Sequence, residues 1–236
     1  MIRPDPELCK VFLRYARLLA ARGYVHNTLG NIVMRVPHPE FEHGLAYTKH
    51  AELSLEEMDE RNIVITDIPT SRVLCGDKVT SVGHNLSREI LRLRPDIHAT
   101  VHVHDDSLIA FLAAGFREVR MLSLDPPFVL GKPVHYVPAN VDVEADVSGV
   151  RDFIQNTNTV VLVGHGVTSL GRNLSEAYHR LNTLVAETRR NIEAELLAAA
   201  TGTRPAYRDD AEVQAMYRHA EAIIYPRRAE RVMQDE

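Results

Sequence analysis

Residues 98–104 read His-Ala-Thr-Val-His-Val-His, and this alternation of polar and apolar types constrains the fold more than any other stretch of the chain. A β-strand turns successive side chains to opposite faces, so Ile97, Ala99, Val101 and Val103 share one face while His98, Thr100, His102 and His104 share the other. The first face suits a core. The second can hold an ion, because imidazole is the commonest protein ligand for Zn²⁺ and residues at i and i+2 can reach one metal. A pair of ordinary half-buried histidines is the alternative reading of His-x-His alone. The best candidate for a third ligand is His165 in Gly164-His165-Gly166, which follows the β-branched run Thr159-Val-Val-Leu-Val163. The flanking glycines let the backbone turn sharply and leave the imidazole uncovered.

Around this strand the pattern alternates between helix and strand. Leu8, Val11, Phe12, Tyr15, Leu18 and Leu19 recur at helical spacing and predict a helix over about 6–21, with Gly23 as its stop. Strands are predicted at 30–35 and 44–48, joined by a turn at Pro37-His38-Pro39, and at 62–66 after one helical turn at 55–58. A turn around Gly76-Asp77 precedes a helix carrying Leu86, Glu89, Ile90 and Leu93, which ends before Pro95. Beyond the histidine strand come a helix over 107–114, a strand at 132–137, a short helix over 148–155 and the strand leading to His165. Ala177, Leu181, Leu184, Val185, Thr188, Ile192 and Leu196 then trace a long amphipathic helix, with Asn173 and Glu176 spaced as a capping box and Gly202 as its end. A last helix is expected over about 210–222, with a mobile charged tail beyond Pro226.

With 236 residues, 45% hydrophobic and 25% charged, a single soluble domain over 1–236 is expected. A net charge of −5 gives no basic face for nucleic acid, and Pro226-Arg227-Arg228 is too short to change that. Cys9 and Cys75 fit neither a disulfide framework nor a Cys-x-x-Cys site, and Cys9 falls in a helix pattern as a small buried side chain. No apolar run suits a signal peptide or a bilayer span, so a cytoplasmic protein without membrane contact is expected.

Four segments together carry a family resemblance: Thr28-Leu-Gly-Asn-Ile-Val-Met-Arg35, Arg94-Pro-Asp-Ile-His-Ala-Thr-Val-His-Val-His104, Gly164-His-Gly166 and Leu174-Ser-Glu-Ala177. They resemble the class II aldolase/adducin family over most of the chain, from the first helix to roughly residue 200. The resemblance implies an α/β fold, an αβα sandwich around a central, mainly antiparallel sheet. It also implies a homotetramer with sites near subunit interfaces, and a divalent ion on three histidines that match His102, His104 and His165. Zn²⁺ is the first expectation, with Mn²⁺, Fe²⁺ and Co²⁺ as alternatives. Many members cleave sugar phosphates by a retro-aldol reaction, others are epimerases or decarboxylases, a few use non-haem iron, and adducin-type members have no known catalysis.

The chain departs from the sugar-phosphate aldolases where they carry a Ser-Ser-Glu whose glutamate is the acid/base. Counting back from Arg94 sets Ser81 and Val82 at the serines and Gly83 at the glutamate, with His84 next to it as a replacement base. A fourth ligand or a surface histidine are the other readings of His84. Thr28, Asn31, Thr48, Lys49 and Ser81 are the candidates for binding a substrate anion, Lys49 as a point charge with three donors. Several members of the family draw a proton donor from a tyrosine late in the chain, which makes Tyr217 and Tyr225 the candidates here, Tyr217 against a buried structural role on the face it shares with Val213. Asp105 and Asp106 either orient a ligand histidine or cap the next helix. His98 lies roughly 20 Å from His104 along a strand and reads as structural, as do the remaining histidines.

Three histidines leave open positions on an ion, the pattern of a catalytic centre. The expected activity is a metal-dependent carbon–carbon lyase, acting by aldol cleavage or decarboxylation on a small anionic substrate through a metal-stabilised enolate. Loss of the glutamate tilts this toward decarboxylation or a histidine-based aldolase. A non-haem iron oxygenase on the same site and a non-catalytic adducin-like module are the alternatives.

Overall fold

The computed structural model describes residues 2–76 and 80–225. Its strands are β1 (Asn31–His38), β2 (Phe41–Lys49), β3 (Ile63–Asp67), β4 (Val73–Cys75), β5 (Ala99–Val103), β6 (His135–Val137), β7 (Thr159–Leu162) and β8 (Gly166–Gly171). Its α-helices are α1 (Pro6–Ala21), α2 (Gly83–Leu93), α3 (Asp106–Ala113), α4 (Asp125–Leu130), α5 (Leu174–Thr201) and α6 (Asp210–His219). The described strands form one eight-stranded sheet in the order β4-β3-β2-β1-β5-β8-β7-β6. They pair antiparallel except for β6, which runs parallel to β7.

Strand alternation sends apolar side chains to both faces of this sheet, and each face is covered. Val101 and Val103 of β5 pack with Phe12 and Leu19 of α1, Leu108 of α3 and Leu181 and Val185 of α5. On the opposite face Val33 and Leu170 pack with Leu86 and Ile90 of α2 and with Val150 and Ile154 of two 3₁₀ turns. The result is the expected αβα sandwich, with the strands in the middle buried from both sides. No described helix is long and apolar enough to cross a membrane.

The helix ends follow local chemistry. Asp5 caps α1 by accepting from the Glu7 and Leu8 amides, and Asn173 caps α5 by accepting from the Glu176 amide. Glu176 reaches back to the amide of Arg172 rather than to that of Asn173, so only half of the expected capping box forms. Gly202 ends α5 in the left-handed region at φ 68°.

Several expectations change. The strand predicted at 30–35 continues to His38, with a register shift between Val36 and His38 at Pro37, so the hairpin turn is Pro39-Glu40 alone. Proline has no amide to give a ladder, and a bulge is where a strand tolerates it. The predicted helix at 148–155 is two 3₁₀ turns, Val147–Asp152 and Ile154–Asn156. β4, β8 and α4 have no counterpart in the sequence reading. β8 is rich in small residues, and α4 opens on Pro126-Pro127, which reads as loop yet is tolerated in a first helical turn. Asp77 of the expected turn and the tail beyond Pro226 lie outside the described residues.

Candidate metal centre

β5 lies between β1 and β8, and His102 pairs with Asn31 on one side and Thr168 on the other. Val101 and Val103 are fully buried on the α5 side, so His102 is committed to the α2 side. Its Nδ1 lies 2.9 Å from Thr168 Oγ1, which orients the ring and leaves Nε2 facing the site. His104 follows the end of the strand, half-buried, with its Nε2 3.1 Å from His102 Nε2.

His165 comes from a tight turn between β7 and β8, closed by its own amide donating to the Leu162 carbonyl at 2.9 Å. Gly164 in this turn has φ 78°, a conformation that favours glycine. At Gly166 a Cβ would stand 2.4 Å from the Val103 carbonyl oxygen, so glycine is what lets the turn lie against β5 beside His102. Two sequence-distant turns are thereby brought to one point.

The ligand nitrogens of His102, His104 and His165 all lie within 4.8 Å of one another. Neighbouring ligands on a tetrahedral Zn²⁺ bound at about 2.0–2.1 Å stand roughly 3.3 Å apart, so this donor set fits a divalent ion. Burial pushes His102 well below the usual imidazole range, with His104 and His165 adding to it. Burial, then His165 and His26, bring His104 down to about 4. Both rings are neutral at pH 7, the form that binds a metal.

The histidines open into a pocket of about 330 Å³, walled by Thr28, Leu29, Gly30, Asn31, Ala51, Ser81, Val82, Gly83 and Glu144. That volume suits a small molecule. Glu144 lines the same pocket, and sequence reasoning did not single it out. Its Oε2 stands 3.4 Å from His165 Nε2 and its Oε1 3.9 Å from His102 Nε2. Burial raises its carboxyl above the usual range and nearby Asp142 adds to that, while His165 opposes them. The Asp142 carboxylate accepts from the Glu144 and Ala145 amides, Val143 is buried beneath α2, and Asn85 donates to the Glu144 carbonyl, which pins the loop. Nothing local marks Glu144. The one signal was indirect, the absence of a side chain at Gly83, since a Cβ there would meet Glu144 Oε1 at 2.6 Å.

Of the expected anion-binding residues, Thr28, Asn31 and Ser81 line the pocket, with Asn31 Nδ2 donating to Ser81 Oγ at 3.0 Å. Thr48 and Lys49 do not. Lys49 is fully buried, and its ammonium donates to the carbonyls of Thr28 at 2.6 Å and Leu53 at 2.7 Å, so it braces the pocket wall from behind. Burial pushes its pKa down to about 8. No lysine or arginine lines the pocket among the described residues.

His84 is also displaced from its expected role. It sits one position beyond Gly83 on α2, a rotation of about 100° around the helix, and therefore turns toward the sheet with Ser87 and Leu91. It is fully buried, with Nε2 2.9 Å from Thr66 Oγ1, and burial followed by Arg88 brings it down to about 3. Tyr217 lines a different cavity with Val119, Met121 and Tyr136, and burial holds its hydroxyl in the neutral form. Asp105 caps α3 by accepting from the Leu108 amide at 2.8 Å.

A family model, the class II aldolase and adducin N-terminal domain, matches residues 10–189. The chain belongs to this family. Within it, an L-fuculose phosphate aldolase of Methanocaldococcus jannaschii is 30% identical over 185 residues, covering 74% of this chain and 90% of that one. A 3,4-dihydroxyphthalate decarboxylase of Arthrobacter keyseri is 27% identical over 175 residues, 68% of each chain. Among solved structures, an aldolase II superfamily protein from Pseudomonas syringae superposes with a TM-score of 0.74 at 19% identity, covering 99% of this chain and 94% of that one. The class II aldolase/adducin fold is therefore shared over nearly the whole chain.

Proposed function

We propose that the protein is a divalent-metal-dependent carbon–carbon lyase acting on a small anionic, carboxylated or hydroxylated substrate, by aldol cleavage or by decarboxylation. The convergence of His102, His104 and His165 at the floor of a small open pocket carries this reading. A purely structural domain has no use for a three-ligand site with open positions. The aldolase and decarboxylase among the relatives carry out the two reactions proposed.

His102, His104 and His165 would hold the ion, with Zn²⁺ the first choice for this donor set. When bound, it supplies Lewis-acid stabilisation of the charge that develops on an oxygen next to the breaking bond. Asn31, Thr28 and Ser81 present hydrogen-bonding groups to substrate oxygens along one wall. The first residues of α2 form another, so the positive end of that helix faces the anion. Leu29 and Val82 are exposed apolar side chains at the rim, which suits closure of the mouth by a neighbouring subunit of a homotetramer.

Metal analysis and turnover test this together. One divalent ion per chain is expected, lost in His102→Ala, with aldehyde release from L-fuculose 1-phosphate or CO₂ release from 3,4-dihydroxyphthalate. Metal content that stays the same in His102→Ala would overturn the reading, and so would a loaded protein that cleaves neither compound.

A further inference from the structure

We propose that Glu144 is the proton-transferring carboxylate of this site, delivered by the loop between β6 and β7 into the space that Gly83 leaves open. The inference rests on the lyase reading and names the group that reading lacks, since His84 and Tyr217 both face elsewhere.

Among the described residues lining the pocket, Glu144 is the one titratable side chain besides the three imidazoles. It stands outside the set of three mutually close ligand nitrogens, on the side of His165 and His102. A carboxylate so placed would stand next to an ion held by the three imidazoles. Glu187, fully buried, and Glu176, half-buried, are by contrast committed to arginines and backbone amides. The Glu144 carboxylate faces the imidazoles and the pocket instead. Its backbone is fixed by Asp142, Val143 and Asn85, so the carboxylate is aimed by structure already in place.

Gly83 makes the placement possible. The atom that a Cβ at Gly83 would strike is Glu144 Oε1, at 2.6 Å. Any side chain at that position therefore displaces the carboxylate, whose end can swing away without disturbing the fold. Gly83 and Glu144 are one unit read from two distant points in the sequence.

The step is balanced with no further reactant. The Glu144 carboxylate takes the proton of a substrate hydroxyl as the adjacent C–C bond breaks, and that hydroxyl oxygen becomes a carbonyl. The bonding electron pair passes to the carbon of the other fragment, delocalised as an enolate. The carboxylic acid then returns the proton to that carbon, so one hydrogen moves from oxygen to carbon and Glu144 is regenerated. Decarboxylation shares the protonation of that carbon: CO₂ leaves, the electron pair stays on the carbon, and Glu144 delivers to it a proton that the carboxylate has taken up from water.

Exchange of hydrogen for deuterium beside a carbonyl isolates that half-reaction. The metal-loaded protein is incubated in D₂O with dihydroxyacetone phosphate and with pyruvate and followed by proton NMR, and Zn²⁺ affinity is measured by competition titration. The wild type should exchange at least one probe. Glu144→Gln, isosteric and uncharged, should exchange about 100-fold or more slowly while Zn²⁺ affinity stays within about threefold. Gly83→Ala should slow exchange by about tenfold or more with the ion retained.

Exchange by Glu144→Gln within threefold of the wild type would overturn the role of Glu144 alone, as would wild-type exchange in Gly83→Ala. Loss of the ion from Glu144→Gln would make the residue a ligand and overturn it equally. A loaded wild type that exchanges neither probe would instead overturn the lyase reading beneath it.

Discussion

The hydroxyl of Thr168 meets His102 Nδ1 at 2.9 Å, and that contact decides which imidazole nitrogen faces the ion. Replacing it with valine keeps the shape and removes the hydrogen bond, so Thr168→Val should lose about 10–100-fold in Zn²⁺ affinity. Thermal stability of the metal-free protein should change little, and an affinity within twofold of the wild type would contradict the assignment. Lys49 teaches a different lesson at the same scale. A lysine in a strand near the site reads as an anion binder, but its ammonium is spent on the carbonyls of Thr28 and Leu53. Residue type and spacing tell which chemistry a side chain can do, and only its surroundings tell which it does. For this reason His84, expected at the site, is turned to Thr66, while Glu144, which no spacing marks, lines the pocket.

At the scale of elements, the site depends on how closely the start of β8 lies against the end of β5. Gly166 is the contact point, and a methyl group there would stand 2.4 Å from the Val103 carbonyl and 3.3 Å from the His102 ring. Gly166→Ala should therefore push the His165 turn away from β5, costing about 1–3 kcal/mol of stability. It should also lower Zn²⁺ affinity by about tenfold or more; an unchanged denaturation midpoint and affinity would refute this. Gly164, where a Cβ would meet nothing nearer than Ala139 at 3.9 Å, should accept asparagine with much less effect. The same dependence on neighbours explains which elements the sequence revealed. α1, α2 and α5 carry strong helical periodicity because one face of each is buried against the sheet. β8 is buried along its whole length and built of small residues, so no alternation announces it.

At the scale of the whole molecule, an ion on the three histidines would tie the end of β5 to the turn between β7 and β8, segments some sixty residues apart in the chain. Arg94 reinforces that tie, its guanidinium paired with Asp96 and donating to the carbonyls of Ile154 and Thr157 ahead of β7. Binding to the folded state alone stabilises it, by about 2.7 kcal/mol when the free ion is at 100 times its dissociation constant. For a chain of 236 residues that corresponds to a Tm rise of about 5–10 °C. Stripping the metal with EDTA should lower Tm by that amount and restoring Zn²⁺ should recover it. In His102→Ala the two curves should coincide, and a shift of the same size in that variant would show that the ion binds elsewhere.

The sequence by itself determined most of the helices and strands, because alternation and helical periodicity are imprinted by burial on each element separately; their assembly into a sandwich on a largely antiparallel sheet was implied by the family resemblance alone. The sequence also determined the three histidines, since His102 and His104 share one strand face and His165 sits between turn-forming glycines. Tertiary structure alone decided what stands beside them. Position 83 opens toward the pocket and position 84 toward the sheet because α2 packs in one rotational setting. Glu144 arrives from a loop some sixty residues further on, through contacts that leave no periodic trace in the chain.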